Sequence, residues 1–153
     1  MSNLLIRHGR PAEIMLIEDN RGDAMMASRV FEVAEIENNL TVADSGEVAL
    51  AMLRREGEYA AQRPPDIILL DLNLPSMNGR DVLAAIKSDD RFKHIPVIVM
   101  SSSGNEADIA TSYDLHASAY IVKPMDLKKF RNVVTTIEQF FFMVVVLPVC
   151  QAA

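Results

Sequence analysis

The stretch Ile67-Ile-Leu-Leu-Asp71-Leu-Asn73-Leu-Pro75-Ser-Met77-Asn78-Gly79 decides the fold. Its first four residues are uninterrupted aliphatics, the pattern of a strand buried on both faces and so of a parallel sheet. Behind Asn78-Gly79, Val82, Leu83 and Ile86 recur at helical spacing, so a helix follows the strand. The same alternation extends in both directions. Short aliphatic runs stand at Ile14–Ile17, Leu40–Ala43, Val97–Met100 and Ala119–Val122. Between them lie helical stripes: Met26, Val30, Val33 and Ala34, then Val48, Ala49, Met52 and Leu53 behind an N-capping Ser45. Asn105 caps a short helix with Ile109, Ala110 and Tyr113. Asp126 caps one with Leu127, Phe130, Val133, Val134, Ile137, Phe140 and Phe141. Five strand–helix units imply parallel strands, right-handed crossovers and helices on both faces. The predicted class is α/β: a flavodoxin-like (βα)5 doubly wound sheet of order 2-1-3-4-5, since a closed barrel takes about eight units.

Composition narrows the function classes. The 153 residues suit one domain, expected over residues 13–142, with an extension at 1–12 and an apolar tail at 143–153. Half the residues are hydrophobic but only 6% aromatic, so the core should be aliphatic. A net charge of −6 argues against nucleic acid as the main partner, because duplex binding needs a basic face. The lone Cys150 excludes an internal disulfide. Leu4–Ile6 is too short for a signal-peptide core, and no run reaches the roughly 18 apolar residues of a membrane span. The expected location is the cytoplasm.

Ligands of open α/β sheets bind outside the carboxyl ends of the strands, where the strand order reverses. Those ends carry Glu18-Asp19, Asp71, Ser101 and Lys123-Pro124. Each has an ordinary reading alone: Asp71 as a turn residue, Glu18-Asp19 as a solvated helix entrance, Ser101 as loop, Lys123 as surface. Their joint placement is another matter. Converging carboxylates repel unless a cation compensates, and Mg²⁺, which takes oxygen ligands and shares them with phosphoryl groups, suits the set. A carboxylate can act as nucleophile to give an aspartyl phosphate, and phosphoryl transfer needs mainly positioning and charge neutralisation. On this reading Asp71 attacks, Glu18 and Asp19 hold Mg²⁺ with the Asn73 carbonyl, and Lys123 and Ser101 meet the phosphoryl oxygens.

These residues resemble the receiver domains of two-component response regulators over residues 13–142. The resemblance lies in Glu18-Asp19, in Asp71-Leu-Asn-Leu-Pro75 with Met77-Asn-Gly79 behind it, in Ser101, and in Tyr120-Ile-Val-Lys-Pro124. Within that family the chain looks like the single-domain regulators that accompany phytochrome histidine kinases. That likeness rests on the Gly57-Glu-Tyr insertion, Asn105-Glu-x-Asp-Ile, Ser112-Tyr-x-Leu-His116 and the ending Leu147-Pro148. The resemblance implies a phosphoprotein of a phosphorelay rather than an enzyme, catalysing only its own Mg²⁺-dependent phosphorylation and dephosphorylation. Asp71 would be the phosphoacceptor for a sensor histidine kinase, of phytochrome type if the narrower likeness holds. Ser101 and Tyr120 would be the switch pair, with a cis Lys123–Pro124 peptide. A downstream protein or a phosphotransfer protein would read the result. Glu18 stands where the family more often has Asp, lengthening one metal arm, and Ser101 where it more often has Thr.

Two rival readings are weaker. Haloacid-dehalogenase-type phosphatases use Asp-x-Asp at the nucleophile, and here the second position is Asn73. A pseudo-receiver that only binds partners would not need Glu18, Asp19, Asp71, Ser101 and Lys123 together. The remaining oddity is Phe140–Val149, ten residues without a charge. So large an apolar stretch is seldom left in water, and the expectation is a homodimer through the fifth helix and the tail. The alternative is a tail folded back over its own domain.

Overall fold

In the computed structural model, which describes residues 9–123 and 126–144, five parallel strands form one sheet of order β2-β1-β3-β4-β5. The elements run β1 (Ala12–Ile17), α1 (Arg21–Glu32), β2 (Asn38–Ala43), α2 (Gly46–Leu53), β3 (Ile67–Asp71), α3 (Gly79–Ser88), β4 (Val97–Ser101), α4 (Glu106–Asp114), β5 (Ala119–Val122) and α5 (Leu127–Ile137). A 3₁₀ turn at Gly57–Tyr59 occupies the long connection before β3, and a π-helical turn, Glu138–Val144, continues α5. The expected fold class and strand order are both observed.

Burial follows strand position. Every residue of β1, β3 and β4 is buried, as continuous apolar runs require, whereas the edge strands β2 and β5 are mostly half-buried. Alternate side chains feed two cores. Met15, Ile17, Ile68, Leu70 and Val99 pack under α2 and α3. Leu16, Leu69, Ile98 and Met100 pack under α1 and α5, where Phe31 and Phe130 meet edge to face at 6.2 Å. Burying each large aliphatic or aromatic side chain stabilises by about 1.5–3 kcal/mol, so this sandwich fixes the strand ends firmly.

The caps expected at Ser45, Asn105 and Asp126 are in place, and Asn78 is a further one. Ser45, Asn78, Asn105 and Asp126 each accept a bond from a backbone N–H in the first turn. Two helix faces differ from expectation. On α1 the buried stripe is Ala27, Val30 and Phe31 with Ala34 beyond, while Val33 is 61% exposed. The helix ends at Glu32, and Val33, its C-cap, has left helical geometry and turns outward. On α4 the buried residue is Ser112, while Ala110 and Tyr113 face solvent and Ile109 is half-buried. This helix packs at the β5 edge, where it covers little of the sheet. Along α5 and the π-helical turn that continues it, Leu127 and Phe140 are exposed and the other stripe residues are covered to differing degrees.

Described residues lie on both sides of the expected limits 13 and 142. Ala12 is fully buried in β1, and Arg10 is clamped by both oxygens of Asp66 at 2.9 and 2.7 Å. Ala12 thus opens the first strand, and Arg10 is tied to the residue just before β3. At the other end, helical geometry carries past residue 142 to Val144, and residues 145–153 lie outside the described residues.

Candidate functional site

Strand register brings the candidate residues together. Ile17 pairs with Leu70, so one step further Glu18 lies beside Asp71. Asp71 pairs with Met100, so Ser101 stands one step beyond on β4. Ser101 pairs with Val122, and the Lys123 N–H donates to the Ser101 carbonyl at 2.7 Å, which ends β5 at the same level. Four polar groups thus gather at one end of an apolar sheet because each stands at, or one step past, the end of its strand's apolar run. Gly79 closes the back of the site. A Cβ there would lie 2.4 Å from Leu72 Cα and 2.7 Å from the Asp71 carbonyl oxygen, so only glycine lets α3 start this close to β3.

Lys123 is the hub. Its Nζ donates to Glu18 Oε1 at 2.6 Å, Asp23 Oδ2 at 3.1 Å and Asp71 Oδ2 at 3.3 Å. The other Asp71 oxygen, Oδ1, accepts from the Asn73 N–H at 2.9 Å, so the carboxylate is held from both sides. Asp71 is 4% exposed and Glu18 only 2%, while Asp19 is exposed. Carboxylate oxygens of Glu18, Asp19 and Asp71 lie within 4.8 Å of one another, the grouping of metal-ligand type found among the described residues.

The electrostatics explain why such a site wants a cation. Burial pushes the Glu18 carboxyl up to about 7, and a hydrogen bond shared with Asp71 pushes the same way, against Lys123. Burial alone would lower the Lys123 ammonium. Its bond to Glu18 and the charge of Asp71 outweigh that, and the group is held above the ordinary lysine range. One ammonium among this many carboxylates leaves negative charge uncompensated. The donors are all oxygen, a set suited to a hard divalent cation.

Ser101 is 1% exposed, and its Oγ accepts from the Ser103 N–H at 3.1 Å. Tyr120, half-buried against the α2–α3 core, donates its hydroxyl to the Ser103 carbonyl at 2.8 Å. Both expected switch residues therefore grip opposite sides of Ser103. The Ser103 Oγ donates to Asp108 Oδ2 at 2.6 Å, and Asp108 pairs with Arg80 of α3. The Asn73 side chain donates to Ser102 Oγ at 2.9 Å. The expected cis peptide at Lys123–Pro124 falls on a residue outside those described.

Sequence reasoning passed over Asp23 and Ser103. Asp23 looks like an ordinary acid in the first turn of a helix, and Ser103 like one serine of a polar loop. The available signal for Asp23 was its position: an Asn20 N-cap, whose Oδ1 accepts the Asp23 N–H at 2.9 Å, turns the first helical turn back over the strand ends. No comparable signal marks Ser103.

Comparison with known proteins gives one answer. The family model described as response regulator receiver domain matches residues 14–135. Response regulator Rcp1 of Synechocystis sp. is 41% identical over 138 residues, covering 90% of this chain and 94% of that protein. The crystal structure of the phosphorylated cyanobacterial phytochrome response regulator RcpA superposes with a TM-score of 0.84 at 44% identity, over 90% of this chain and 99% of that one. The Mn²⁺-bound form of Rcp1 superposes with a TM-score of 0.82 at 40% identity, with the same coverage.

Proposed function

The chain belongs to the response-regulator receiver family, and on that premise we propose that Asp71 accepts a phosphoryl group from a histidine of a sensor kinase. The observation that carries this assignment is the convergence of buried Asp71 and Glu18 on the Lys123 ammonium at the switch point of the sheet. In the transfer, an Asp71 carboxylate oxygen attacks phosphorus as the P–N bond to the kinase imidazole breaks. The imidazole nitrogen leaves with the bonding electron pair. Lys123 and the Ser101 hydroxyl meet the charge on the phosphoryl oxygens. Glu18, Asp19, Asp71 and the Asn73 carbonyl would hold Mg²⁺, which supplies further charge neutralisation when bound. That Rcp1 has been solved with Mn²⁺ and RcpA in phosphorylated form supports both assignments.

The signal then leaves through protein contacts. The phosphoryl group draws the Ser101 hydroxyl away from the Ser103 amide, the Ser103 backbone held between Ser101 and Tyr120 shifts, and the α4–β5 surface presented to a downstream protein changes. The likeness to RcpA and Rcp1 favours a phytochrome-type kinase as the donor, and the expected place of action is the cytoplasm. No helix among the described residues is long and apolar enough to cross a membrane. Homodimerisation through α5 and the tail is part of the same proposal. Phe140 is 53% exposed beside Phe141, and an apolar groove of Ile98, Ile121, Val133 and Ile137 adjoins them at the β5 edge. A chain ending at Gln139 should lose the dimer in light scattering; a full-length monomer at micromolar concentration would refute it. The phosphoacceptor assignment is tested by transfer from purified candidate kinases. The expected result is Mg²⁺-dependent labelling that Asp71→Asn abolishes, and labelling of that variant at the wild-type level would overturn it.

A further inference from the structure

The arrangement around Lys123 raises a question that the metal and phosphoryl assignments leave open. Two of its three carboxylate partners, Glu18 and Asp71, belong to the group placed to ligate a divalent cation, and the third, Asp23, does not. A cation entering the site takes oxygen donors from the same carboxylates that hold the ammonium. Cation and ammonium then compete for the Glu18 carboxylate, which weakens the 2.6 Å bond of Lys123 to it. The Lys123 side chain is only 15% exposed, so water does not readily replace that partner. Asp23 is already in contact at 3.1 Å, on the α1 side of the ammonium. The room for movement is there: a cavity of about 300 Å³, walled by Leu16, Met26, Met100 and Phe130, opens beside Glu18, Asp23 and Lys123. The Asn20 cap accepts the Asp23 N–H and so fixes the Asp23 backbone in the first helical turn, on this side of the site.

We propose that Asp23 is a positioning residue that holds the Lys123 ammonium when a divalent cation occupies Glu18 and Asp71, and releases it to the arriving phosphoryl group. Asp23 thereby acts twice, with opposite sign. It eases metal entry by giving the displaced ammonium a partner, and it competes with the phosphoryl group for that ammonium. A ligand shifts an equilibrium only through its differential contacts with the two arrangements, and the Lys123–Asp23 pair is such a contact, present before phosphorylation and lost after it.

The inference rests on the phosphoacceptor reading, and the test separates the two. Mg²⁺ is titrated by calorimetry into the full-length wild type, Asp23→Asn, Lys123→Ala and the double variant. Asp23→Asn should weaken Mg²⁺ binding about threefold when Lys123 is present, the size expected of a partly exposed ion pair. In the Lys123→Ala background the same substitution should change it by less than about 1.5-fold, because there is no ammonium to hold. Equal losses in both backgrounds would mean only a general effect of charge and would overturn the assignment, as would no loss in either. Beryllofluoride, a phosphoryl mimic, should bind Asp23→Asn at saturating Mg²⁺ about threefold more tightly than wild type, and unchanged or weaker binding contradicts the proposal. Asp71→Asn serves as the control: if it binds the mimic as well as wild type, the phosphoacceptor reading fails. If Asp71 is required and the Asp23 differences are missing, only the role of Asp23 fails.

Discussion

Consider lowering the pH across the range in which Glu18 titrates. Its carboxyl is held up at about 7 by burial and by the bond it shares with Asp71. A metal ion needs the deprotonated oxygen, so proton and cation compete for it. With one competing proton and this value, the apparent dissociation constant for Mg²⁺ grows by about tenfold between pH 8 and pH 6. Glu18→Gln should bind Mg²⁺ weakly at every pH and lose most of that slope, because the amide does not titrate. Stability runs in the opposite direction. A carboxyl raised in the folded state binds its proton more tightly there than in the unfolded chain. Metal-free protein therefore gains stability as the pH falls from about 7 towards the ordinary glutamate value, and loses it as the pH rises through 7. Saturating Mg²⁺ should cancel that loss. Calorimetric titration at a series of pH values, paired with thermal melts with and without Mg²⁺, reads both effects. Mg²⁺ affinity that is flat between pH 6 and 8, or equally sloped in Glu18→Gln, would refute the reasoning.

Other substitutions probe separate parts of the account. Lys123→Ala should still be phosphorylated, but its partner binding should respond less to phosphorylation; a normal response in a pull-down against phosphorylated protein would remove Lys123 from the switch. Gly79→Ala drives a methyl into the Leu72 and Asp71 backbone and should cost about 1–3 kcal/mol in urea unfolding, whereas no loss would mean that α3 can move away freely. Glu138, buried at the end of α5, accepts the Ile36 N–H at 2.6 Å, so Glu138→Ala should cost about 1–3 kcal/mol while Glu138→Gln retains most of the stability. Equal losses for the two variants in denaturant melts would show that the charge, not the bond, matters.

What could be read from the sequence follows from the physics of each element. Buried parallel strands carry a signal that loops and helix faces lack, so Ile67–Leu70 and Val97–Met100 announced themselves and each gave the residue that follows as a site candidate. Register did the rest, since Glu18, Asp71, Ser101 and Lys123 each stand one step past or at a paired strand end. Val33 misled because hydrophobicity marks a periodic position without saying that the helix has already ended. The α4 stripe misled because Ile109, Ala110 and Tyr113 fit a helical period on an element that covers little sheet. Asp23 escaped notice for a related reason: the Asn20 cap marks its place in the first helical turn, but its contact depends on where a distant lysine points.

The most direct test of the central claim needs no kinase. Wild-type protein and Asp71→Asn are incubated with phosphoramidate, a small P–N phosphodonor, with and without Mg²⁺, and intact masses and peptide maps are recorded. The account predicts a single added phosphoryl group on wild type, dependent on Mg²⁺, hydrolysed in alkali as an acyl phosphate should be, and mapped to the peptide containing Asp71. A wild type that takes up none, or an Asp71→Asn variant modified to the same extent, would contradict it.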